Sequence, residues 1–174
     1  MTDSISASDR LYPSRPVTGV VALVRRGDEF LLVRRGREPG RGRWGFPGGA
    51  QELGETLFDA VRRELWEETR VEAEAALVID ALDVLDRDPE GRVRHHYTLI
   101  AIAMRWRGGE GVAGDDADEL GWFRLEEAKA LAALPSALML MGKALAAQPD
   151  VAQPDVALRV EATENHPISP KGAL

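Results

Sequence analysis

Three glutamates within one predicted helix are the residues of this chain best suited to do chemistry. Glu64, Glu67 and Glu68 stand at spacings i, i+3 and i+4, and a helix turns by about 100° per residue, so their carboxylates share one side. Like charges this close destabilise the helix and raise the pKa of at least one carboxylate, unless a hard divalent cation neutralises them. The spacing therefore predicts a cation site, and Mg²⁺ suits it because Mg²⁺ prefers carboxylate, water and phosphate oxygens.

The residues around these glutamates predict a loop that packs against the same helix. Pro47-Gly48-Gly49 indicates a tight turn whose carbonyl groups can approach a metal. Arg63 directly precedes Glu64 and can turn toward Glu55 in the preceding loop, which would orient the metal ligands. A glutamate-rich helix by itself is more often a solvated face. The agreement of the turn, the loop glutamate and the arginine favours the metal site.

The segment Gly49–Val71 resembles the Nudix box. The box consists of a glycine, five residues, a glutamate, seven residues, Arg-Glu-aliphatic, one residue, two glutamates, one residue, a glycine and an aliphatic residue. The residues that match it are Gly49, Glu55, Arg63, Glu64, Leu65, Glu67, Glu68 and Val71.

Arg70 departs from this pattern, because it stands where the family has glycine. That glycine would close the helix in the left-handed conformation, so a side chain at this position costs on the order of 1 kcal/mol. We expect a strained or altered helix end with the acidic face intact.

The resemblance extends from about Val17 to Ala147 and implies both a fold and an activity. The implied fold is α+β, the Nudix fold, with a mixed β-sheet sandwiched between α-helices. The implied activity is metal-dependent hydrolysis of a pyrophosphate bond in a nucleoside diphosphate linked to another moiety, with Mg²⁺ as the cofactor and Mn²⁺ as a substitute. The residues that the resemblance assigns to the metal are the Gly48 carbonyl, Glu64, Glu67 and Glu68.

Catalytic roles follow from the same resemblance. Glu67 is a ligand or the general base, and Arg63 and Glu55 orient the ligands. Family members also take the base from a later loop, where the candidates are Asp115, Asp116, Asp118 and Glu119. Glu119 is favoured among these four.

Substrate contacts are predicted before and after the turn. Seven arginines lie between positions 25 and 43, and a basic wall beside an acidic pocket suits a polyanion that is held through bridging cations. Aromatic residues could stack on a base or sugar, with core packing as an equally weighted alternative. The candidates are Arg35, Arg43, Trp44, Phe46 and Tyr97.

The stretch Trp44–Glu55 resembles ADP-ribose pyrophosphatase-like members of the family, so ADP-ribose or a nucleotide sugar is the expected substrate. A nucleoside triphosphate pyrophosphatase of the sanitising type is the alternative enzyme. A non-catalytic nucleotide-binding regulatory module is the alternative from another class, although such modules typically lose acidic residues of the box.

Composition restricts the partners of this chain of 174 residues. Its formal net charge of −7 argues against a nucleic-acid partner, and no apolar run is long enough to cross a membrane. The absence of cysteine excludes disulfides, thiolate ligands and a cysteine nucleophile. We expect a cytoplasmic protein with a small-molecule nucleotide substrate, and a homodimer is compatible with the family.

Hydrophobic periodicity divides the chain into a loose leader at 1–15, one domain at 16–147 and a tail at 148–174. The tail contains Gln-Pro-Asp-Val-Ala twice, which favours disorder or a peripheral arm. The predicted strands are Val17–Val24, Phe30–Arg34, Trp44–Phe46, Val71–Leu85 as one or two strands, Val93–Trp106 and Leu120–Phe123. The predicted helices run from Thr56 to about Thr69, over Glu126–Ala133 and over Ser136–Ala147.

Overall fold

The computed structural model describes residues 10–38, 40–114 and 117–147. Over these ranges the elements in chain order are β1 (Val17–Arg26), β2 (Glu29–Arg35), β3 (Trp44–Gly45), β4 (Gly48–Ala50), α1 (Leu57–Thr69), β5 (Glu72–Arg87), β6 (Val93–Gly108), β7 (Ala117–Phe123), α2 (Leu125–Ala130) and α3 (Pro135–Ala146).

One mixed sheet contains all of these strands, in the order β3-β2-β1-β6-β5, with β4 added to β1 and β7 added to β2. β1 and β6 are parallel, from the pair Val17 and Tyr97 to the pair Arg25 and Arg105. The other pairings are antiparallel. A parallel pair requires a long crossover connection, and α1 lies within the one that joins β1 to β6.

Helices cover both faces of the sheet, as the sequence predicts. Val61 and Leu65 of α1 are buried on one face against β1 residues such as Val20. On the other face Leu140 and Met141 of α3 belong to a second buried cluster. The residues of that second cluster supplied by β1 and β2 are Leu23, Phe30 and Leu32. The α+β sandwich is therefore confirmed.

Local side-chain chemistry fixes both ends of α1. The Thr56 hydroxyl accepts a hydrogen bond from the Asp59 backbone N–H at 3.1 Å, which caps the first turn. Arg70 ends the helix in the left-handed conformation, with φ 56° and ψ 19°. Its guanidinium carbon lies 5.5 Å from the centroid of the Trp66 ring. Arg70, which replaces the glycine of the Nudix box, therefore has the strained backbone conformation that the sequence predicts.

Some element boundaries differ from the prediction. The region Val71–Leu85 belongs to one strand, β5, whose pairing with β6 is interrupted by register shifts. α2 ends at Ala130 instead of reaching Ala133, and Ala132 has a positive φ of 51° that cannot continue a helix. α3 begins at Pro135, because proline suits the first turn of a helix.

The N-terminal segment contacts the turn between β5 and β6 through Tyr12. The Tyr12 backbone N–H donates to the Arg94 carbonyl at 2.9 Å, and its hydroxyl donates to Asp88 Oδ2 at 3.0 Å. The Arg92 guanidinium lies 4.9 Å from the centre of the Tyr12 ring. Residues 1–9 and the tail from 148 lie outside the described residues. Among the helices that are described, none has both the length and the apolar character needed to cross a membrane.

Replacing Arg70 with glycine should stabilise the protein by about 1 kcal/mol, because glycine adopts a positive φ without the steric cost of a Cβ. Urea unfolding followed by circular dichroism measures the change. Arg62→Gly is the matched control and should destabilise by about 1 kcal/mol, since Arg62 lies inside the same helix. Equal destabilisation by both variants would contradict the strain at Arg70.

A second prediction concerns Asp86, whose pKa is lowered from 3.8 to about 2, first by the hydrogen bond from Arg94 and then by His95. A carboxyl group whose pKa is lowered by folding stabilises the folded state at pH values above its ordinary pKa. This contribution is lost as the pH falls from about 4 to about 2. Asp86→Asn should therefore flatten the pH dependence of the unfolding free energy in that window. Asp83→Asn, on the same strand, should leave the wild-type slope, and the same slope in both variants would refute the prediction.

Candidate functional site

Arg63 joins the loop before α1 to the helix. Its Nε donates to Glu55 Oε1 at 2.7 Å and its Nη2 donates to Glu55 Oε2 at 2.9 Å, which is the contact that the sequence predicts. Nη2 also donates to the Ala50 carbonyl at 3.1 Å. Nη1 donates to Glu64 Oε1 at 2.9 Å and to Glu67 Oε2 at 3.3 Å. One guanidinium thus connects β4, the loop and two carboxylates.

The opposite charges of Arg63 and Glu55 stabilise one another, and both side chains are partly buried. The hydrogen bond from Arg63 lowers the pKa of Glu55, against an opposing effect of burial. The hydrogen bond to Glu55 likewise raises the pKa of Arg63. The Glu52 backbone N–H also donates to Glu55 Oε2 at 2.9 Å. The pair is therefore ionised at neutral pH, and the loop is held by charge-assisted bonds.

Glu64 is more enclosed than Glu67. Its side chain is 14% exposed. Burial raises the pKa of Glu64, while the hydrogen bond from Arg63 opposes the rise and the charge of Glu67 adds to it. A Cβ added to Gly49 would lie 2.4 Å from Glu64 Oε1. Glycine at position 49 is therefore what lets this carboxylate reach β4.

Glu68 reaches the neighbouring residue of the same strand. The Gly48 backbone N–H donates to Glu68 Oε2 at 3.1 Å. Gly48 itself has no room for a side chain, since a Cβ there would lie 2.1 Å from the Val20 carbonyl oxygen. Glu64 and Glu68 therefore contact β4 at two successive glycines. Because glycine has no side chain, the backbone of β4 can come close to both carboxylates.

Glu67 is more exposed than Glu64, although both carboxylates accept from Nη1 of Arg63. Its side chain is 48% exposed and accepts from Arg63. Among the described residues, no three His, Cys, Asp or Glu side chains form a complete metal cage. Glu64 and Glu68, together with the Gly48 carbonyl that the family resemblance assigns to the metal, would supply only oxygen ligands. This set fits a hard cation such as Mg²⁺, which usually keeps coordination positions for water and substrate phosphates.

The loop candidates for the general base are only partly described. Glu119 lies on β7 opposite Arg34 of β2, and its carboxylate is 3.0 Å from Arg34 Nη2. The Glu119 side chain is 56% exposed, and Asp118 is exposed as well. The structure thus brings Glu119 to Arg34. Asp115 and Asp116 lie outside the described residues.

The two arginines predicted to bind substrate flank one loop. The Arg35 backbone N–H donates to the Arg43 carbonyl at 3.0 Å, so the chain returns on itself between them. Arg43 Nε donates to the Ala132 carbonyl at 3.2 Å, which ties the loop to the segment between α2 and α3.

The aromatic candidates occupy different environments. Trp44 is partly buried and meets Phe123 edge to face, with ring centroids 5.0 Å apart. Tyr97 is partly buried and stacks with His95 at 6.4 Å.

Phe46 belongs to the core. It is 5% exposed, and its ring meets Phe30 edge to face at 6.1 Å. Its ring is enclosed by apolar side chains, which favours the core-packing alternative over a contact with substrate. Side chains alternate between the two sides of a strand, so Trp44 and Phe46 would lie on the same side if the strand continued. However, β3 ends at Gly45, and the sequence pattern does not indicate this end.

Sequence reasoning missed two groups that hold the loop before α1. The Gln51 side-chain amide donates to the Glu55 carbonyl at 2.7 Å. The Ala50 carbonyl accepts from Arg63, as described above. Backbone acceptors carry no signal in the residue types, and a single glutamine in a loop has many uses.

Comparison with known proteins identifies the family. The NUDIX domain model matches residues 13–141. The chain is 36% identical over 123 residues to an ADP-ribose pyrophosphatase of Methanocaldococcus jannaschii, which covers 71% of this chain and 70% of that protein. A MutT NUDIX hydrolase from Burkholderia pseudomallei superposes with a TM-score of 0.63 at 27% identity, over 75% of this chain and 98% of that one.

A bifunctional NMN adenylyltransferase/ADP ribose pyrophosphatase from Francisella tularensis, complexed with AMP and a manganese ion, gives a TM-score of 0.60 at 26% identity. That match covers 76% of this chain and 42% of that one. The family match spans most of the described residues, and it includes β4, the loop and α1 with their glutamates and arginine. The chain belongs to the Nudix family, with the Nudix fold, and it is a pyrophosphohydrolase.

Proposed function

We propose that this enzyme hydrolyses the pyrophosphate bond of ADP-ribose or a related nucleotide sugar, with Mg²⁺ as its metal. The observation that carries the proposal is the approach of Glu64 and Glu68 to the two glycines of β4, beside the Arg63–Glu55 pair. Nudix hydrolases generally use divalent metal ions. The Methanocaldococcus jannaschii relative supports the choice of ADP-ribose, and the manganese ion of the Francisella tularensis structure supports Mn²⁺ as a substitute.

In this proposal Glu64, Glu68 and the Gly48 carbonyl hold the metal. When bound, the cation neutralises charge on the phosphate oxygens and lowers the pKa of a water molecule. Arg63 fixes the direction of Glu64 through its bond to Oε1, and Glu55 fixes Arg63. Water attacks one phosphorus, the bond from that phosphorus to the bridging oxygen breaks, and ADP-ribose yields AMP and ribose 5-phosphate.

Glu67 is our first candidate for the base that takes the proton of the attacking water. About half of its side chain is open to solvent, and Arg63 holds one of its oxygens. Glu119 is the second candidate, held in turn by Arg34. We assign substrate contacts to Arg35, Arg43, Trp44 and Tyr97, whose side chains combine positive charge with aromatic rings.

A panel of ADP-ribose, nucleotide sugars, dinucleoside polyphosphates and nucleoside triphosphates, incubated with the enzyme and Mg²⁺, tests the substrate class. Mass spectrometry of the products should detect AMP and ribose 5-phosphate from ADP-ribose. Preferential release of inorganic pyrophosphate from triphosphates would instead favour the sanitising activity. Turnover that is unaffected by EDTA would contradict the role of the metal.

Glu68→Gln should weaken Mn²⁺ binding and lower kcat/KM for the best substrate by more than about 100-fold, because an amide is a poorer ligand for a hard cation than a carboxylate. Electron paramagnetic resonance measures free Mn²⁺. Glu72→Gln is the control, since Glu72 is an exposed residue of β5. Unchanged rates in Glu68→Gln would remove Glu68 from the metal site.

Arg63→Lys should lower kcat by about 10- to 100-fold with little change in KM, because lysine cannot make the paired bonds to Glu55 while also reaching Glu64. Steady-state kinetics measures both constants. Arg62→Lys is the matched control, as Arg62 is exposed and pairs with Asp59 at 3.1 Å. An equal loss in the two variants would contradict a special role for the bonds of Arg63, since both changes keep the positive charge.

A further inference from the structure

Arg26, at the end of β1, lies against two tryptophans, Trp106 of β6 and Trp122 of β7. Its guanidinium carbon is 4.3 Å from the centroid of the Trp122 ring and 5.5 Å from that of Trp106. The two rings meet edge to face, with centroids 6.4 Å apart. Arg26 Nη1 also donates to both carboxylate oxygens of Glu110, at 3.0 and 2.9 Å. We call Arg26, Trp106 and Trp122 the arginine clamp.

The arginine clamp holds the start of the loop that joins β6 to β7. Trp106 Nε1 donates to the Gly109 carbonyl at 2.9 Å, and Trp122 Nε1 donates to the Glu110 carbonyl at 3.1 Å. Together with the pair between Arg26 and Glu110, three side chains bind two successive residues of this loop.

The same loop then completes the end of α1. The Val112 backbone N–H donates to the Thr69 carbonyl at 2.8 Å, and the Gly114 N–H donates to the Glu68 carbonyl at 2.9 Å. These carbonyls belong to the last turn of the helix, where carbonyl groups lack a partner within the helix itself. The loop thus supplies hydrogen bonds to the turn that carries Glu67 and Glu68.

Glycines bring the loop into direct contact with the helix end. A Cβ added to Gly114 would lie 2.4 Å from the Glu67 carbonyl oxygen, and one added to Gly109 would lie 3.2 Å from the Arg70 carbonyl oxygen. The backbone of Glu67 cannot retreat without unwinding the helix. A side chain at position 114 would therefore push the loop away from α1.

We propose that Arg26 is a positioning residue for the metal site. By holding residues 109–110 it keeps the segment 112–114 on the end of α1, and so fixes the direction of Glu67 and Glu68. The effect passes from the guanidinium through the loop to the helix. This inference rests on the proposed function in one respect, namely that Glu68 binds the metal.

The test compares Arg26→Ala with Arg25→Ala in the full-length protein. Arg25 is the neighbouring arginine of β1, and its contacts are with Asp28 and the Gly27 carbonyl. Three quantities are measured: the Mn²⁺ dissociation constant without nucleotide, the amide exchange rates of Val112 and Gly114, and the kinetics with ADP-ribose.

In Arg26→Ala we expect faster exchange of both amides, an Mn²⁺ dissociation constant raised about tenfold and a kcat lowered to a similar extent. KM should stay within about twofold, because the nucleotide contacts are elsewhere. Arg26→Lys keeps the charge but loses the planar guanidinium, so its values should fall between those of Arg26→Ala and the wild type. Arg25→Ala should resemble the wild type.

A double-mutant cycle with Gly114→Ala tests whether the effect passes through the loop. Gly114→Ala alone should weaken Mn²⁺ binding. Adding Arg26→Ala should cause little further loss, since both changes act on one contact. If the two losses of Mn²⁺ affinity multiply in the double variant, transmission through the loop is contradicted.

Thermal unfolding establishes that each variant is folded. Should Arg26→Ala fail to fold, Trp122→Phe takes its place, since phenylalanine keeps a ring but loses the bond to the Glu110 carbonyl. Wild-type Mn²⁺ affinity or unchanged amide exchange in the folded variant refutes the proposal, whatever the substrate. Failure of the proposed function is recognised separately, by wild-type Mn²⁺ binding in Glu68→Gln.

Discussion

The site depends on the paired hydrogen bonds between Arg63 and Glu55. Both side chains are partly buried, so each charge would be costly without the other. A guanidinium offers its donors in a fixed plane, and here they reach the loop, the Ala50 carbonyl of β4 and the carboxylate of Glu64. The relative position of β4 and α1 at the site is therefore set largely by the guanidinium of Arg63.

This arrangement leaves Glu64 incompletely compensated. Burial raises its pKa although Arg63 donates to it, so the enclosed carboxylate favours a proton or a further cation. Gly48 and Gly49 let the backbone of β4 come close to Glu68 and Glu64, and the Gly48 N–H donates to Glu68. The fold thus concentrates oxygen ligands where the net charge is negative. Hard divalent cations prefer such ligands.

Much of this was readable from the sequence because it depends on short spacings. The helix, its cap at Thr56, the bonds between Arg63 and Glu55 and the left-handed end at Arg70 all involve residues within one continuous segment. Helical geometry converts such spacings directly into positions. The sandwich of a mixed sheet between helices was also predictable, because the family resemblance implies it.

The sequence by itself determined which residues could bind a metal and that an arginine would tie the loop to their helix. Only the tertiary structure decided that Phe46 is enclosed in the core, that Glu119 pairs with Arg34, and that the loop after β6 covers the end of α1. Each of these depends on contacts between segments far apart in the chain. Residue types within a segment fix its local geometry, but the register and packing of distant segments follow from the lowest free energy of the whole core.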